Sequence, residues 1–188
     1  MSRHKTLSTQ RKPPARGAAD EPQEPAAGVL DRYDLAILRE LQVDARISNA
    51  ELASRIGLSA APTWRRVRRL EREGTITGYR AEIDRRRIGL GVLAFVRIDA
   101  ERHNAEATQA LEARIRDLPE VVACHYISGT GTFELQVVAT DLDAFSRFAM
   151  QQLFTLPHVK DLQTSFSLGE VKSAGALPLA HLAPSRTG

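Results

Sequence analysis

The sequence predicts an α+β protein, in which a winged helix-turn-helix domain precedes a ferredoxin-like βαββαβ sandwich. Between residues 30 and 74 the apolar residues recur at helical spacing, and past Gly89 they switch to alternation interrupted by two helical stretches. Charge divides at the same place. Residues 46–87 hold 11 arginines against 5 acids, a net of +6, whereas residues 88–188 hold 8 basic and 11 acidic groups, a net of −3. This asymmetry predicts a polyanion partner for the first domain alone.

Three helices with a short turn between the last two are predicted in the first domain. Residues 30–44 carry an apolar stripe behind Asp31, which is a helix-capping residue type. Residues 47–59 contain Ser and Glu at capping-box spacing, and Gly57 ends that helix. The third helix opens at Ser59, again a capping type. Two helices joined by a turn of about four residues that contains Gly form a helix-turn-helix, with the third helix in the recognition position.

The third helix is rich in arginine. The stretch SAAPTWRRVRRLEREG, residues 59–74, has five arginines and no lysine. Thr63, Val67 and Leu70 predict a narrow buried stripe, with the arginines opposite. An ordinary solvated face is the alternative. Two further alternatives are open: Trp64 packs against the first helix, and Arg66 is a structural ion-pair partner. The stretch TITGYRAEID that follows suggests a short wing or linker strand.

The second domain is predicted from its alternation of periods. Its predicted strands span 93–100, 121–129, 133–140 and 161–172, and its predicted helices span 104–118 and 141–154. The inward residues of the two helices are expected to be Ala107, Leu111 and Ile115 in the first and Leu142, Phe145, Phe148 and Leu153 in the second. The order β-α-β-β-α-β is that of a ferredoxin-like sandwich.

The expected domain organisation follows from these patterns. The predicted segments are a disordered basic, Pro-rich tail (1–28), the DNA-binding domain (30–83), a linker (84–91), the second domain (92–175) and a C-terminal tail (176–188). A single cysteine excludes an intramolecular disulfide, and no apolar run has spanning length. The basic N-terminus lacks the apolar core of a secretory signal, so a cytoplasmic location is expected. Cys124 and His125 are consecutive on a strand and face opposite ways, so no metal site is predicted.

With these elements in place, the sequence resembles the Lrp/AsnC (feast/famine) family over roughly residues 30–180. The resemblance rests on the order and spacing of LDRYDLAIL, DARISNAELASRIGLS, RRVRRLEREGTITGY, PEVVACHYISG and TSFSLGEVK. It implies a transcriptional regulator with an N-terminal DNA-binding domain. It also implies a C-terminal domain that senses a small-molecule effector and assembles the chain into homodimers or octamers. No cofactor is expected.

Candidate DNA contacts lie on and before the arginine helix. Base edges are expected to meet the cap and first turns, and phosphates the later arginines, because phosphate contacts give affinity without sequence information. The candidates are Arg46, Ser59, Ala60, Ala61, Thr63, Trp64, Arg65, Arg68, Arg69 and Arg72.

Candidate effector contacts lie at the turn between the second and third strands and on the last strand. They are Gly129, Thr130, Gly131, Thr132, Thr164 and Ser165. Members of the family that bind amino acids usually carry Gly-x-x-Asp-Tyr/Phe at this turn, and Thr132 stands where the acid is expected. A threonine hydroxyl cannot supply a charge to an α-ammonium group. Three alternatives stay open: a different ligand, a ligand held by backbone groups, or no ligand.

Two other functions compete with the regulator. Haem-precursor decarboxylases share the two-domain architecture, but the sequence shows no paired catalytic His and Arg signature for one. A nucleoid-structuring protein would use the same arginines with little sequence preference. The arginine-rich second helix of the helix-turn-helix favours the regulator, which is not an enzyme.

Overall fold

The computed structural model describes residues 28–100, 105–129, 132–173 and 175–182. The predicted N-terminal tail up to residue 27 and residues 183–188 lie outside these ranges. The chain forms two compact units. One contains the helical domain up to Arg80 and the segment from Ala176, and the other spans Ala81–Gly175.

The helical unit has three helices around a small apolar core. Helix α1 spans Arg32–Val43, α2 spans Asn49–Ile56 and α3 spans Ala60–Arg72. Ile37, Leu52 and Leu70, one from each helix, are fully buried at its centre. The predicted Gly57 stop is confirmed, because Gly57 has a positive φ of 73° that suits glycine at a helix end.

The three helices of this unit begin with different N-cap arrangements. Asp31 caps α1, and the Asp34 side chain accepts from the Asp31 N–H in return, which forms a complete capping box. Ser48 caps α2 by accepting from the Glu51 N–H at 3.2 Å. Ser59 occupies the N-cap position of α3, as predicted, but its side chain does not make the capping hydrogen bond expected of it.

The second unit is a four-stranded antiparallel sheet with two helices on one face. Its elements in chain order are β1 (Val92–Ala100), α4 (Ala105–Arg116), β2 (Val121–Tyr126), β3 (Phe133–Ala139), α5 (Leu142–Gln151) and β4 (Val159–Phe166). The strand order β2-β3-β1-β4 leaves β2 and β4 as the two edges. This order and the element sequence are those of the predicted ferredoxin-like sandwich.

The core of this unit lies between the sheet and its helices. Alternate residues of β1, such as Val96 and Ile98, are fully buried and pack with Leu111 of α4 and Phe145 of α5. The inward residues predicted for α4 are all buried. Leu142 is the exception in α5: it is the first residue of that helix and is 58% exposed, so its predicted inward position is wrong.

The predicted wing strand is absent from the described chain. Residues 75–84 form neither helix nor strand. An extended segment becomes a strand only when its backbone groups pair with a neighbour. No such ladder is formed by 75–84 within the described ranges.

The segment after β4 returns to the helical unit. The Gln42 side chain on α1 accepts from the Leu177 N–H at 2.5 Å and donates to the Leu177 carbonyl at 3.4 Å. Two hydrogen bonds from one amide side chain imitate backbone pairing and hold this part of the predicted C-terminal tail against α1.

Candidate nucleic-acid interface and effector region

The exposed side of α3 carries the cationic surface. Trp64, Arg65, Arg68 and Arg72 are exposed, as are Ser59, Ala60 and Ala61 at the start of the helix. Because residues three and four apart share a helix face, these positions form one continuous stripe. These residues therefore lie on the exposed side of α3, where the DNA contacts were predicted. Arg46, in the turn before α2, is exposed as well.

Opposite this stripe, α3 is held to α1 by a cluster of buried charges. Arg66 is completely buried and donates to Asp31 at 2.8 Å and to Asp34 at 3.0 Å. Arg69, at 4% exposure, pairs with Asp34 at 2.6 Å. Asp34 is itself fully buried. We call Asp31, Asp34, Arg66 and Arg69 the α1–α3 ion cluster.

Two predicted DNA contacts are corrected by this geometry. Arg69 was expected to contact a DNA phosphate, but its guanidinium is buried and paired with Asp34. Breaking that pair would leave the buried Asp34 carboxylate with one positive partner fewer. Thr63 is fully buried and its hydroxyl donates to the Ser59 carbonyl at 2.9 Å, so it belongs to the buried stripe alone. The structural alternative for Arg66 is confirmed.

Sequence reasoning missed the acidic half of the cluster. The acids at 31 and 34 are three residues apart on α1, and the arginines at 66 and 69 are three apart on α3. Equal spacing of opposite charges on two helices was the available signal. The pKa of Asp31 is lowered: although burial acts to raise it, hydrogen bonds from the Asp34 N–H and the Arg66 guanidinium outweigh that effect.

Around Trp64 the exposed stripe is already ordered by local contacts. The Arg68 guanidinium lies 5.6 Å from the centre of the Trp64 ring and pairs with Glu71 at 3.0 Å. The Tyr79 hydroxyl donates to the other Glu71 oxygen at 3.0 Å. Trp64 is 53% exposed, which does not fit the alternative in which it packs against the first helix. Exposed ion pairs of this kind contribute little and yield easily to a phosphate.

The start of α3 is fixed by α2. The Asn49 side-chain amide donates to the Ala60 carbonyl at 2.8 Å, a contact that sequence reasoning did not identify. Arg55 on α2 pairs with Glu40 of α1 at 2.8 Å and with Glu51 at 2.6 Å. These contacts set the angle at which the first turn of α3 is presented.

Those of the predicted effector residues that the structure describes do not form one cluster. Thr130 and Gly131 lie outside the described residues. Thr164 pairs with Val96 and Ser165 with Phe95 in the sheet register, so their side chains face opposite sides of the sheet. Strand β1 separates Thr132 from both of them.

Thr132 has a structural role at the end of β1. It is 2% exposed, its hydroxyl oxygen accepts from the Ala100 N–H at 3.1 Å, and its N–H donates to the Ile98 carbonyl at 2.7 Å. The Thr132 carbonyl accepts from the Ile127 N–H at 3.0 Å. Thr132 therefore joins the β2–β3 turn to β1, with its hydroxyl oxygen, its N–H and its carbonyl all hydrogen-bonded to the backbone of the same unit.

A concavity of about 420 Å³ lies beside that turn, between α4 and edge strand β2. Ile115 and Phe133 contribute apolar surface, and Glu112 and Arg116 stand on its helical side. The sequence analysis did not single out these charged residues, because an i,i+4 pair usually marks a solvated face. Burial and the nearby Glu112 carboxylate raise the pKa of the Cys124 thiol.

The described residues contain neither a candidate metal site nor a candidate membrane span. No group of three or more His, Cys, Asp and Glu side chains that could hold a metal ion occurs in these ranges. Nor does any described helix have the length and apolar character needed to cross a membrane.

The fold and the arginine face together define a DNA-binding protein that carries a second, sensor-type domain. Family models match both halves: "Winged helix-turn-helix DNA-binding" over residues 30–77 and "Lrp/AsnC ligand binding domain" over residues 93–177. The chain belongs to the Lrp/AsnC family of transcriptional regulators. It is a regulator that binds DNA and not an enzyme.

Named relatives agree with this assignment. The Bkd operon transcriptional regulator of Pseudomonas aeruginosa is 40% identical over 150 residues, covering 80% of this chain and 98% of the relative. The leucine-responsive regulatory protein of Escherichia coli is 38% identical, with 79% and 90% coverage. A Neisseria meningitidis transcriptional regulator solved in complex with L-Met superposes with a TM-score of 0.78 at 37% identity, with 82% and 99% coverage.

Proposed function

We propose that the chain is a sequence-specific regulator that reads DNA with the exposed stripe of α3. The observation that carries this is the division of α3 into two sides: a buried side locked to α1 and an exposed side with unburied guanidinium groups. Ser59, Ala60, Ala61, Trp64 and Arg65 are assigned to base edges, since the first turns of a recognition helix enter the major groove. Arg46, Arg68 and Arg72 are assigned to phosphates.

We also propose that a small-molecule effector regulates this binding and that the chain works as a homodimer or a higher homo-oligomer in the cytoplasm. The effector proposal is supported by the L-Met complex of the Neisseria meningitidis relative. Assembly is supported by the two open edges of the sheet, because unpaired edge strands readily add another strand. The domain limits 30–83, 84–91 and 92–175 are part of the same proposal.

A footprint on the DNA upstream of candidate genes, with and without amino acids, tests the proposed function. One discrete protected region, changed in extent or affinity by an effector, is expected. General coating of every fragment at the same concentration contradicts sequence-specific regulation and favours the nucleoid-structuring alternative. Arg65→Ala should relax the base preference at one position of the footprint, by about 1–3 kcal/mol of discrimination.

A further inference from the structure

We propose that Arg68 and Tyr79 form a binding site for one phosphate of the DNA backbone, and that the Glu71 carboxylate occupies this site in the absence of DNA. We call it the Arg68–Tyr79 site. The inference rests on the proposed DNA-reading function of α3. It adds the Tyr79 hydroxyl to the groups that contact DNA, and it makes Glu71 an internal competitor of the phosphate.

Two donors from different parts of the helical unit converge on one carboxylate. The Arg68 guanidinium donates to Glu71 Oε2 at 3.0 Å, and the Tyr79 hydroxyl donates to Glu71 Oε1 at 3.0 Å. Each carboxylate oxygen therefore has a donor of its own. A backbone phosphate also presents two unesterified oxygens, and arginine and tyrosine side chains are both common phosphate contacts in protein–DNA interfaces. The two donors are thus arranged around an oxyanion before DNA arrives.

The site is open to an anion from outside and lies on the exposed side of α3. Arg68 has 59% of its side chain exposed, and Tyr79 is 47% exposed. Both line, together with Trp64 and Glu71, a concavity of about 210 Å³ on the helical unit. The α1–α3 ion cluster lies on the opposite side of the helix, so a phosphate can enter the site while the buried attachment of α3 stays intact.

The turn that follows α3 holds Tyr79 in position. Gly74 has a positive φ of 74°, which suits glycine and turns the chain at the end of the helix. The Ile76 N–H then donates to the Leu70 carbonyl at 3.0 Å, and the Ile76 side chain packs against the core of this unit. Tyr79 follows three residues later. Its hydroxyl is therefore held near α3 although residues 75–84 form no strand.

Glu71 is a competitor that a phosphate can displace. Arg68 and Glu71 are three residues apart on the helix surface, and such exposed pairs are weak. A DNA phosphate has an advantage over the carboxylate, because its contact with arginine also releases condensed counterions. Tyr79 remains a donor throughout: burial and the nearby Glu71 raise the pKa of its hydroxyl, so it stays protonated at neutral pH. The cost of opening the Arg68–Glu71 pair then lowers the affinity for every DNA sequence alike.

Glu71→Gln tests the internal competitor, and Glu73→Gln is its matched control. Each variant replaces one acid with its neutral amide near the end of α3, but Glu73 is exposed and makes no ion pair within the described ranges. Fluorescence anisotropy at a fixed salt concentration gives the affinity for a random duplex and for the footprinted duplex. Glu71→Gln should bind both duplexes at least about threefold more tightly than Glu73→Gln does, because Arg68 no longer has to leave a charged partner.

Arg68→Ala and Tyr79→Phe test the two donors in the Glu71→Gln background. Without Arg68 the gain from Glu71→Gln should fall to that of Glu73→Gln, because the gain depends on the competition for Arg68. In the same background, where the displaced partner is neutral, Tyr79→Phe should weaken binding at least about threefold through loss of the hydrogen bond to the phosphate. Tyr126→Phe removes a hydroxyl from an exposed tyrosine of the second unit and should leave the affinity unchanged.

Three outcomes overturn the inference. One is that Glu71→Gln and Glu73→Gln bind DNA equally well. Another is that the full gain from Glu71→Gln persists without Arg68, which would make it a general effect of charge. The last is that Tyr79→Phe binds as tightly as its parent. Weaker binding by Arg72→Ala and a discrete wild-type footprint do not depend on Glu71 or Tyr79, so they separate failure of this site from failure of the proposed function.

Discussion

Asp34 has the most demanding environment in the helical unit. It is fully buried and is contacted by the guanidinium groups of both Arg66 and Arg69. Removing one partner of a buried ion pair is costly because the remaining charge stays in a poorly solvated place. Asp34 is the ion-pair partner of both arginines, so its removal affects two positive charges, whereas removal of one arginine leaves Asp34 paired with the other. The acid is therefore the more sensitive member of the α1–α3 ion cluster.

Asp34→Ala should lower the free energy of unfolding of the helical unit by about 3–5 kcal/mol, and Arg66→Ala by less, because Arg69 still compensates Asp34. Urea unfolding followed by Trp64 fluorescence measures this. Trp64 is the single tryptophan and lies in that unit. Arg72→Ala, on the exposed side of α3, is the control and should change stability by less than about 0.5 kcal/mol. An Asp34→Ala variant as stable as the control would contradict the structural role.

The lowered pKa of Asp31 predicts a loss of stability in acid. A carboxylate whose folded-state pKa is depressed contributes stability above its unfolded pKa of about 4, and that contribution is lost as the pH falls through the folded value. Asp31→Asn keeps an N-cap residue but removes the charge. The urea midpoint of the wild type should therefore exceed that of Asp31→Asn at pH 6, and the difference should narrow as the pH falls below 4. A difference independent of pH would exclude the charge as its cause.

How much could be predicted from the sequence depends on how far apart the interacting residues lie. The predicted bounds of α1–α5 and β1–β3 lie within about three residues of the observed ones, because periodicity and caps are local. Strand β4 was predicted to run to 172 but ends at Phe166, and the predicted wing strand does not form, because strand pairing depends on distant residues. Arg66 and Arg69 were harder to assign, since helical spacing alone does not set the width of the buried face; the two acids on α1 decide it. The predicted effector residues were chosen by their positions along the sequence, which do not reveal the sheet register. That register puts Thr164 and Ser165 on opposite faces of the sheet.

At the level of the helix, α3 has one side that packs on α1 and one exposed side, and the proposed DNA contacts lie on the exposed side. Its arginines at 66 and 69 face α1, and those at 65, 68 and 72 are exposed. Counting five arginines therefore overstates the charge available to DNA. Only the exposed ones can replace counterions on the phosphate backbone, and the Arg68–Glu71 pair must open to do so.

Arg68→Ala with Arg72→Ala should weaken binding to specific and random DNA alike. The slope of log affinity against log salt should become shallower by about 0.9 for each lost phosphate contact, hence by about 1.8. Filter binding or fluorescence anisotropy across a salt series gives this slope. Arg114→Ala with Arg147→Ala removes the same charge from exposed positions of the second unit and should leave the slope unchanged. Equal slopes for all three proteins would mean that α3 does not contact phosphates.

Across the full chain, the DNA-binding domain and the ligand-binding domain belong to different compact units. The proposed assembly through the second unit would therefore set how many α3 helices act together. Strand β4 is an edge of the sheet, and the segment after it stays aligned for at least one residue, since the Ser167 N–H donates to the Leu93 carbonyl at 2.9 Å. Beyond that point Leu168 and Val171 are fully exposed. An open edge followed by exposed apolar side chains is a surface that a second copy would cover.

Leu168→Asp with Val171→Asp should therefore weaken self-association of the full-length protein. Burying a Leu or Val side chain contributes about 1.5–3 kcal/mol, so losing two should raise the dimer dissociation constant by more than about a hundredfold. Sedimentation or light scattering over a dilution series measures the shift. Met150→Asp with Phe154→Asp is the control, because both residues are exposed apolar side chains that belong neither to β4 nor to the segment after it. The β4 edge is excluded as the interface if the control dissociates equally or the Leu168/Val171 variant stays assembled. If only the Leu168/Val171 variant dissociates, its footprint should shorten as well, because fewer α3 helices then act on the same DNA.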